Sequence, residues 1–475
     1  MHRQIRPKLD DDAELLLVSR PGIKSTVAKL PLEVVIKIAF LISGGADMLA
    51  FLEALRSEIN LEPLEHLYQI GRTVHHSELW PSLWLHDEVF EALLVPPRQA
   101  ILKYYSKVTI DIDGFNPSNI NGFNAIEWLK THLNPKITVD WSIHNGSEAI
   151  KNLEFWTTLY ITEATITIDN DNASKWKLLL PHLDHLATLD VMDDIGELED
   201  IYTFLPASKR VTNFKVSCHA GYILKRGDLL YLIQWFQRLP VRVFETWFED
   251  WSDHLDRELR QEFCDAMFNC PTLERLWLAD CFLYDMDFSE FWFSMKSLSL
   301  YEFDSYSLEF LGEQLEGSDV TSLSLVKPVD NEDNFMGMKR LFHALPRSLI
   351  KNLHISEVDL TNRDWCKLAR LLQKSHLESL HLEIKEMTSV VARSFAVAIE
   401  KNHSIRQIHL YKCDIAVPDL KTLIRSISNA KRRVRVKRII WTTLASKNIN
   451  DADIRSLVEL AAECGSEFSL ERVYY

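Results

Sequence analysis

Residues 394–413 read SFAVAIEKNHSIRQIHLYKC. Phe395, Ala398 and Ile399 recur at helical spacing and share one face. After the polar break "KNHS", Ile405, Ile408, Leu410 and Cys413 follow at L-x-x-L-x-L-x-x-C spacing. Alternate residues of a short strand point the same way. Ile408 and Leu410 therefore face one core, and the preceding helix returns the chain to it. Residues 262–281, EFCDAMFNCPTLERLWLADC, repeat the plan with Leu273, Leu276, Leu278 and Cys281.

Outward from these units, short alternating apolar runs recur from Val108 onward. They are VTIDID, ITVDWSI, ATITID, LATLDV, VTNFKV, VRVFETW, LERLWL, KSLSLY, TSLSLV, KNLHIS, LESLHL, IRQIHL, KRIIWT and LERVYY. Their centres lie about 28 residues apart, the self-similarity of a solenoid. No such unit buries its apolar face alone, so stacking is obligatory.

This pattern resembles the leucine-rich-repeat family, in its longer ribonuclease-inhibitor-like form with a full helix per repeat. The resemblance implies an α/β solenoid, a horseshoe with parallel strands on the concave face and helices on the convex face. The array spans 106–475, irregular over 106–255, where Ile, Val and Phe replace leucine, and regular over 256–475.

The region 30–105 has a helical rhythm instead. LPLEVVIKIAFLI, Leu30 to Ile42, opens with Leu-Pro, as helices often do. Glu33 and Lys37 occupy one narrow arc, and apolar residues cover most of the remaining circle. Such a helix is buried on more than one side. Asp47 is a candidate N-cap for the next helix and Gly71 a C-terminal stop for a third, while Pro96-Pro97 breaks a later one. With the closing "SELWPSLWL", this region resembles an F-box, the three-helix module that docks on the Skp adaptor of a cullin–RING ubiquitin ligase. The resemblance assigns adaptor docking to Leu30, Pro31, Val34, Ile38 and Leu41. The module is longer than a minimal F-box and lacks the family's Val and Trp in the middle helix. Residues 1–29 read as a polar, flexible leader.

Net charge is −15 with a pI near 5.6, which argues against a nucleic-acid binder. The leader's apolar run Leu15–Val18 is too short for a signal peptide, and no run approaches the ~20 residues of a membrane span. The seven cysteines are scattered without a CxxC pair, so reduced thiols in a cytoplasmic or nuclear protein are expected.

Residues flanking the inward positions of each repeat strand face the concave side. They comprise Asp111, Asp113, Asp140, Asp169 and Asp190, then Trp247, Trp277 and Tyr301, then His354, His381, Glu383, His409 and Tyr411. An aromatic centre beside an acidic end suits protein recognition. The three histidines repeat at one position, about 5 Å apart on adjacent strands. Parallel side chains converge poorly on one ion, so a polar ladder is expected rather than a metal site. The basic run 431–438, KRRVRVKR, alternates with Val434 and Val436 as a repeat strand would. Cys281 and Cys413 sit where a small residue is buried at the strand's end, and HLDH, 182–185, falls in a turn.

No glycine-rich phosphate loop, G-x-S-x-G elbow or H-E-x-x-H occurs. The expectation is a non-enzymatic substrate-recognition subunit, with no cofactor, metal, nucleic acid or membrane. Its partners would be a Skp-type adaptor, through it a cullin–RING ligase, and a protein substrate. The alternative is a stand-alone leucine-rich-repeat scaffold or inhibitor whose N-terminal helices only cap the solenoid.

Overall fold

The computed structural model describes residues 31–57, 60–111, 125–134, 136–143, 151–168, 173–218, 222–247, 250–251, 255–279, 291–303, 305–328, 334–427, 434–444 and 449–473. The leader 1–29, Leu30, Asp113, Asp169, Cys281 and residues 431–433 lie outside them. The chain divides into two compact units, Met1–Ser106 and Lys107–Tyr475.

The first unit contains helices Leu32–Ala39, Gly45–Leu55, Leu64–Gly71, His76–Leu79 and Asp87–Leu93, a short strand Leu83–Leu85, and a 3-10 helix Pro96–Tyr104. Its opening helix is two residues shorter at the start and three at the end than the apolar run, and Pro31 is its N-cap rather than its first turn. Asp47 is not a cap either. Gly44 is the N-cap of the second helix, and an added Cβ on its neighbour Gly45 would stand 2.7 Å from the His76 carbonyl. Gly71 does not stop its helix by a left-handed turn. It is the last helical residue, and a Cβ there would strike Leu49 at 2.7 Å, so glycine serves close packing. Pro96-Pro97 begin the 3-10 helix. Leu83 and Leu85 are buried either side of exposed Trp84, a two-residue period that makes "SLWL" a strand where helix is expected.

The second unit is α/β. Its strands follow one another in chain order across one parallel sheet, from Lys107–Asp111 to Glu467–Val473. A strand lies at each of the fourteen apolar runs. The last begins at Glu467, ahead of "LERVYY", because Phe468 pairs in register with Ile439 and Leu470 with Trp441. Two apolar columns run beneath the regular half. One passes through Leu276, Leu298, Leu323, Leu353, Leu380, Ile408 and Ile439. The other starts at Leu278 and ends at Trp441, whose side chain is fully buried.

Successive helices pack on one another, from Glu199–Ala207 through Arg226–Arg238 to Arg257–Phe268, and again from Ser305–Gln314 to Asp451–Glu463. Crossovers of one hand between neighbouring parallel strands place the helices on one side. Gly312 lets two helix backbones approach, since a Cβ there would meet Leu341 N at 3.2 Å. Asp256, Thr361 and Asn450 cap helices by accepting a backbone N–H.

Four residues just past their strands, Glu302, Lys327, Glu357 and Lys412, share a left-handed backbone near φ +50°. The same sharp exit thus recurs through the regular half. Cys218, Cys264, Cys270, Cys366, Cys413 and Cys464 form no disulfide among the described residues. Buried Cys413 is structural: its Sγ lies 3.3 Å from both Leu382 O and Ile384 N. The basic run precedes its strand, which begins only at Arg438, and Val436 is buried ahead of it. Among the described residues no helix is long and apolar enough to cross a membrane.

Candidate functional site

The sheet's outer face is built by the residues between the buried columns. The regular strands alternate half-buried with buried positions, so every second side chain stands away from the helical layer. Three zones follow one another along this face.

The first is charged, and its acids are largely neutralised locally. Lys107 Nζ lies 2.8 Å from Glu163 and 3.8 Å from Asp140. Lys215 and Arg275 both approach Glu245, at 3.5 and 3.1 Å. Burial raises the carboxyls of Asp140 and Asp190, with the lysines opposing. The expected acidic end therefore carries bases among its acids, several of them paired.

The second zone is aromatic. Trp247 lies 5.1 Å from Trp277 and 5.5 Å from Tyr301, centroid to centroid, and Lys327 stands 5.4 Å above the Tyr301 ring. Offset contacts of this kind add to area burial. The indole Nε1 of Trp247 is buried without a hydrogen-bond partner.

The third is the histidine ladder. In register, His354 pairs with His381 and His381 with His409, with ring centroids 3.9 and 4.1 Å apart. Ser324 Oγ meets His354 Nδ1 at 2.9 Å, and Thr442 Oγ1 meets His409 Nε2 at 2.7 Å. Thr442 Oγ1 in turn lies 3.2 Å from Glu471. Tyr411 packs 5.5 Å from His381 and 5.8 Å from His409. Glu383 accepts a hydrogen bond from Ser356, and its carboxyl is raised, chiefly by burial. Stacked rings do not converge on a point, and among the described residues no group of three His, Cys, Asp or Glu is placed to hold a metal. Ser324 and Thr442 escaped the sequence reading. They stand at the same strand position as the histidines or one pair further on, and only register links them.

Burial pushes His354 down to about 4 and His381 to about 3, neighbouring imidazoles adding to it. Burial also lowers His409, with Arg438 assisting and Glu471 opposing. The Nε2 atoms of His354 and His381 are buried with no hydrogen-bond partner. At neutral pH the ladder is uncharged. Because both rings titrate lower in the folded chain than the ordinary 6.5, the unfolded chain binds more protons between pH 6.5 and about 4. Stability therefore falls as pH falls through that window. For half-buried rings this amounts to roughly 1–2 kcal/mol for the pair by pH 5. Urea denaturation at pH 7 and pH 5 should show that extra loss in the wild type relative to a His354→Asn, His381→Asn double variant. Equal losses would refute it.

In the first unit, helix Leu32–Ala39 buries Val35, Ile36 and Ala39. Pro31 is exposed, Ile38 half-buried, Val34 38% exposed and Leu41 84% exposed. At 100° per residue Val34 and Ile38 share one arc of the helix, separate from the buried one, and Leu41 stands in the turn just past its end. Phe40 packs 4.4 Å from the Trp80 ring, whose Nε1 donates to Ile42 O at 2.6 Å. The helix is thus clamped on one side and open on another.

Neither the comparison with protein-family models nor that with curated proteins returns a match for this chain.

Proposed function

We propose that this chain is a substrate-recognition subunit of a Skp–cullin–F-box type ubiquitin ligase. Its first unit is an F-box-like module that docks the adaptor, and its second a leucine-rich-repeat array that holds a protein substrate on the concave face. The observation that carries this reading is the exposed Val34 beside half-buried Ile38 on a helix whose other arc is already buried, with exposed Leu41 in the turn that follows. Clustered water-facing aliphatics mark an interaction site. The chain itself performs no chemistry. Ligation belongs to other subunits, and this one supplies proximity and orientation.

Co-purification of the full chain with purified Skp adaptor tests the reading. The wild type should bind, and Val34→Asp or Ile38→Asp should weaken binding about a hundredfold by burying an unpaired carboxylate. Trp277→Ala, in the other unit, should leave it unchanged. A wild type that fails to bind, or Asp variants that bind equally, would reject the assignment.

A further inference from the structure

The outer face of the sheet changes electrical character partway along. Up to Arg275 several outward positions carry acids and bases joined by ion pairs. Between Ser297 and His409 two outward rows, Ser297–Ser322–Asn352–Ser379–Gln407 and Ser299–Ser324–His354–His381–His409, carry serine, asparagine, histidine and glutamine alone, while Tyr301, Val326, Glu383 and Tyr411 stand past the second buried column. The histidines belong to this neutral set, since burial keeps them unprotonated, neighbouring imidazoles adding to it at His354 and His381. Charges border this panel of two rows but are committed elsewhere: Lys327 pairs with Glu302, Lys351 with Glu378 at 3.2 Å, and Glu383 accepts from Ser356. At one end stand the rings of Trp247, Trp277 and Tyr301.

We propose that this panel recognises an extended, uncharged polypeptide segment bearing an aromatic side chain. The inference rests on the reading of the sheet face as a capture surface and names what it captures. A carboxylate or ammonium seated over the panel would lose hydration and meet no opposite charge. Amides and hydroxyls, by contrast, match the hydrogen-bonding serines and Asn352. Aromatic–aromatic contact at the tryptophan end supplies the anchor. A phosphate backbone is disfavoured for the same reason as an acidic peptide, because among the described residues the two neutral rows hold no cation to neutralise it. Selectivity here comes from refusing charged segments as much as from welcoming neutral ones.

Panning a phage-displayed random dodecapeptide library against the full chain tests this. Wild-type selections should gain aromatic residues and show Asp, Glu, Lys and Arg depleted about tenfold against the unselected library. His381→Asp should instead enrich Lys and Arg, and Ser324→Lys, beside His354 in the same row, should enrich Asp and Glu. Trp277→Ala should abolish the aromatic preference. Peptides as charged as the starting library, no enrichment at all, or charge variants that select the wild-type composition would overturn the proposal. Adaptor co-purification reports on the first unit independently, so either idea can fail while the other stands.

Discussion

Asn402→Ala should destabilise the second unit by about 3–4 kcal/mol, the cost of several orphaned buried groups. Asn402 is fully buried and ties two neighbouring repeats together. Its Nδ2 donates to Leu372 O at 2.7 Å and to Ser375 O at 3.0 Å. Its Oδ1 accepts from the backbone N–H of Ser404 at 2.9 Å and of Ile405 at 3.0 Å. Leu372 ends one helix and Ile405 leads into the next repeat's strand, so a single amide joins the helix-to-strand turns of two successive repeats. Alanine removes every partner at once in a place where the backbone has no alternative. Asn402→Asp should do nearly as badly, since it keeps the acceptor but loses both donors and buries a charge. The checks are the urea midpoint and amide exchange at Ser404 and Ile405. A midpoint indistinguishable from wild type would refute the argument.

Trp235→Ala should cost about 3–5 kcal/mol, the range for truncating a buried aromatic. The indole is fully buried, lies 5.0 Å from Phe236 and about 6 Å from Phe214 and Phe244, and donates to Val211 O at 2.8 Å. Alanine leaves both a cavity and an unpaired carbonyl. Because each repeat touches mainly its neighbours, the damage should stay local. Limited proteolysis should cut the variant near residues 205–247 while the late repeats persist. Trp277→Ala, half-exposed on the outer face, should shift stability by less than about 1 kcal/mol. Equal losses from the two substitutions would sink the distinction between the sheet's faces.

The strand and helix alternation of the second unit was legible because it rests on local period. Leu276 and Leu278, or Ile408 and Leu410, announce a buried face through spacing alone, and the folded chain buries all four. Caps and stops were legible less well. Asp47 and Gly71 satisfy the composition of a helix start and a helix end, but the second helix begins at Gly45, close against His76, and Gly71 packs on Leu49. That the acids of the outer face have lysine partners was not legible, because Lys107 and Lys215 stand about 30 to 56 residues from the carboxylates they approach, and only the sheet brings them together.

Sequence alone determined the two-residue and helical rhythms, the α/β class of residues 107–475 and the excess of apolar side chains between Leu30 and Ile42. Each follows from chemistry within a few residues of itself. Tertiary structure alone decided which arc of that first helix stays open, that Ser324 and Thr442 bracket three stacked imidazoles, and that those rings remain neutral. Burial, charge state and partnership belong to whatever packs against a side chain, and here the packing partners stand 27 to 33 residues away.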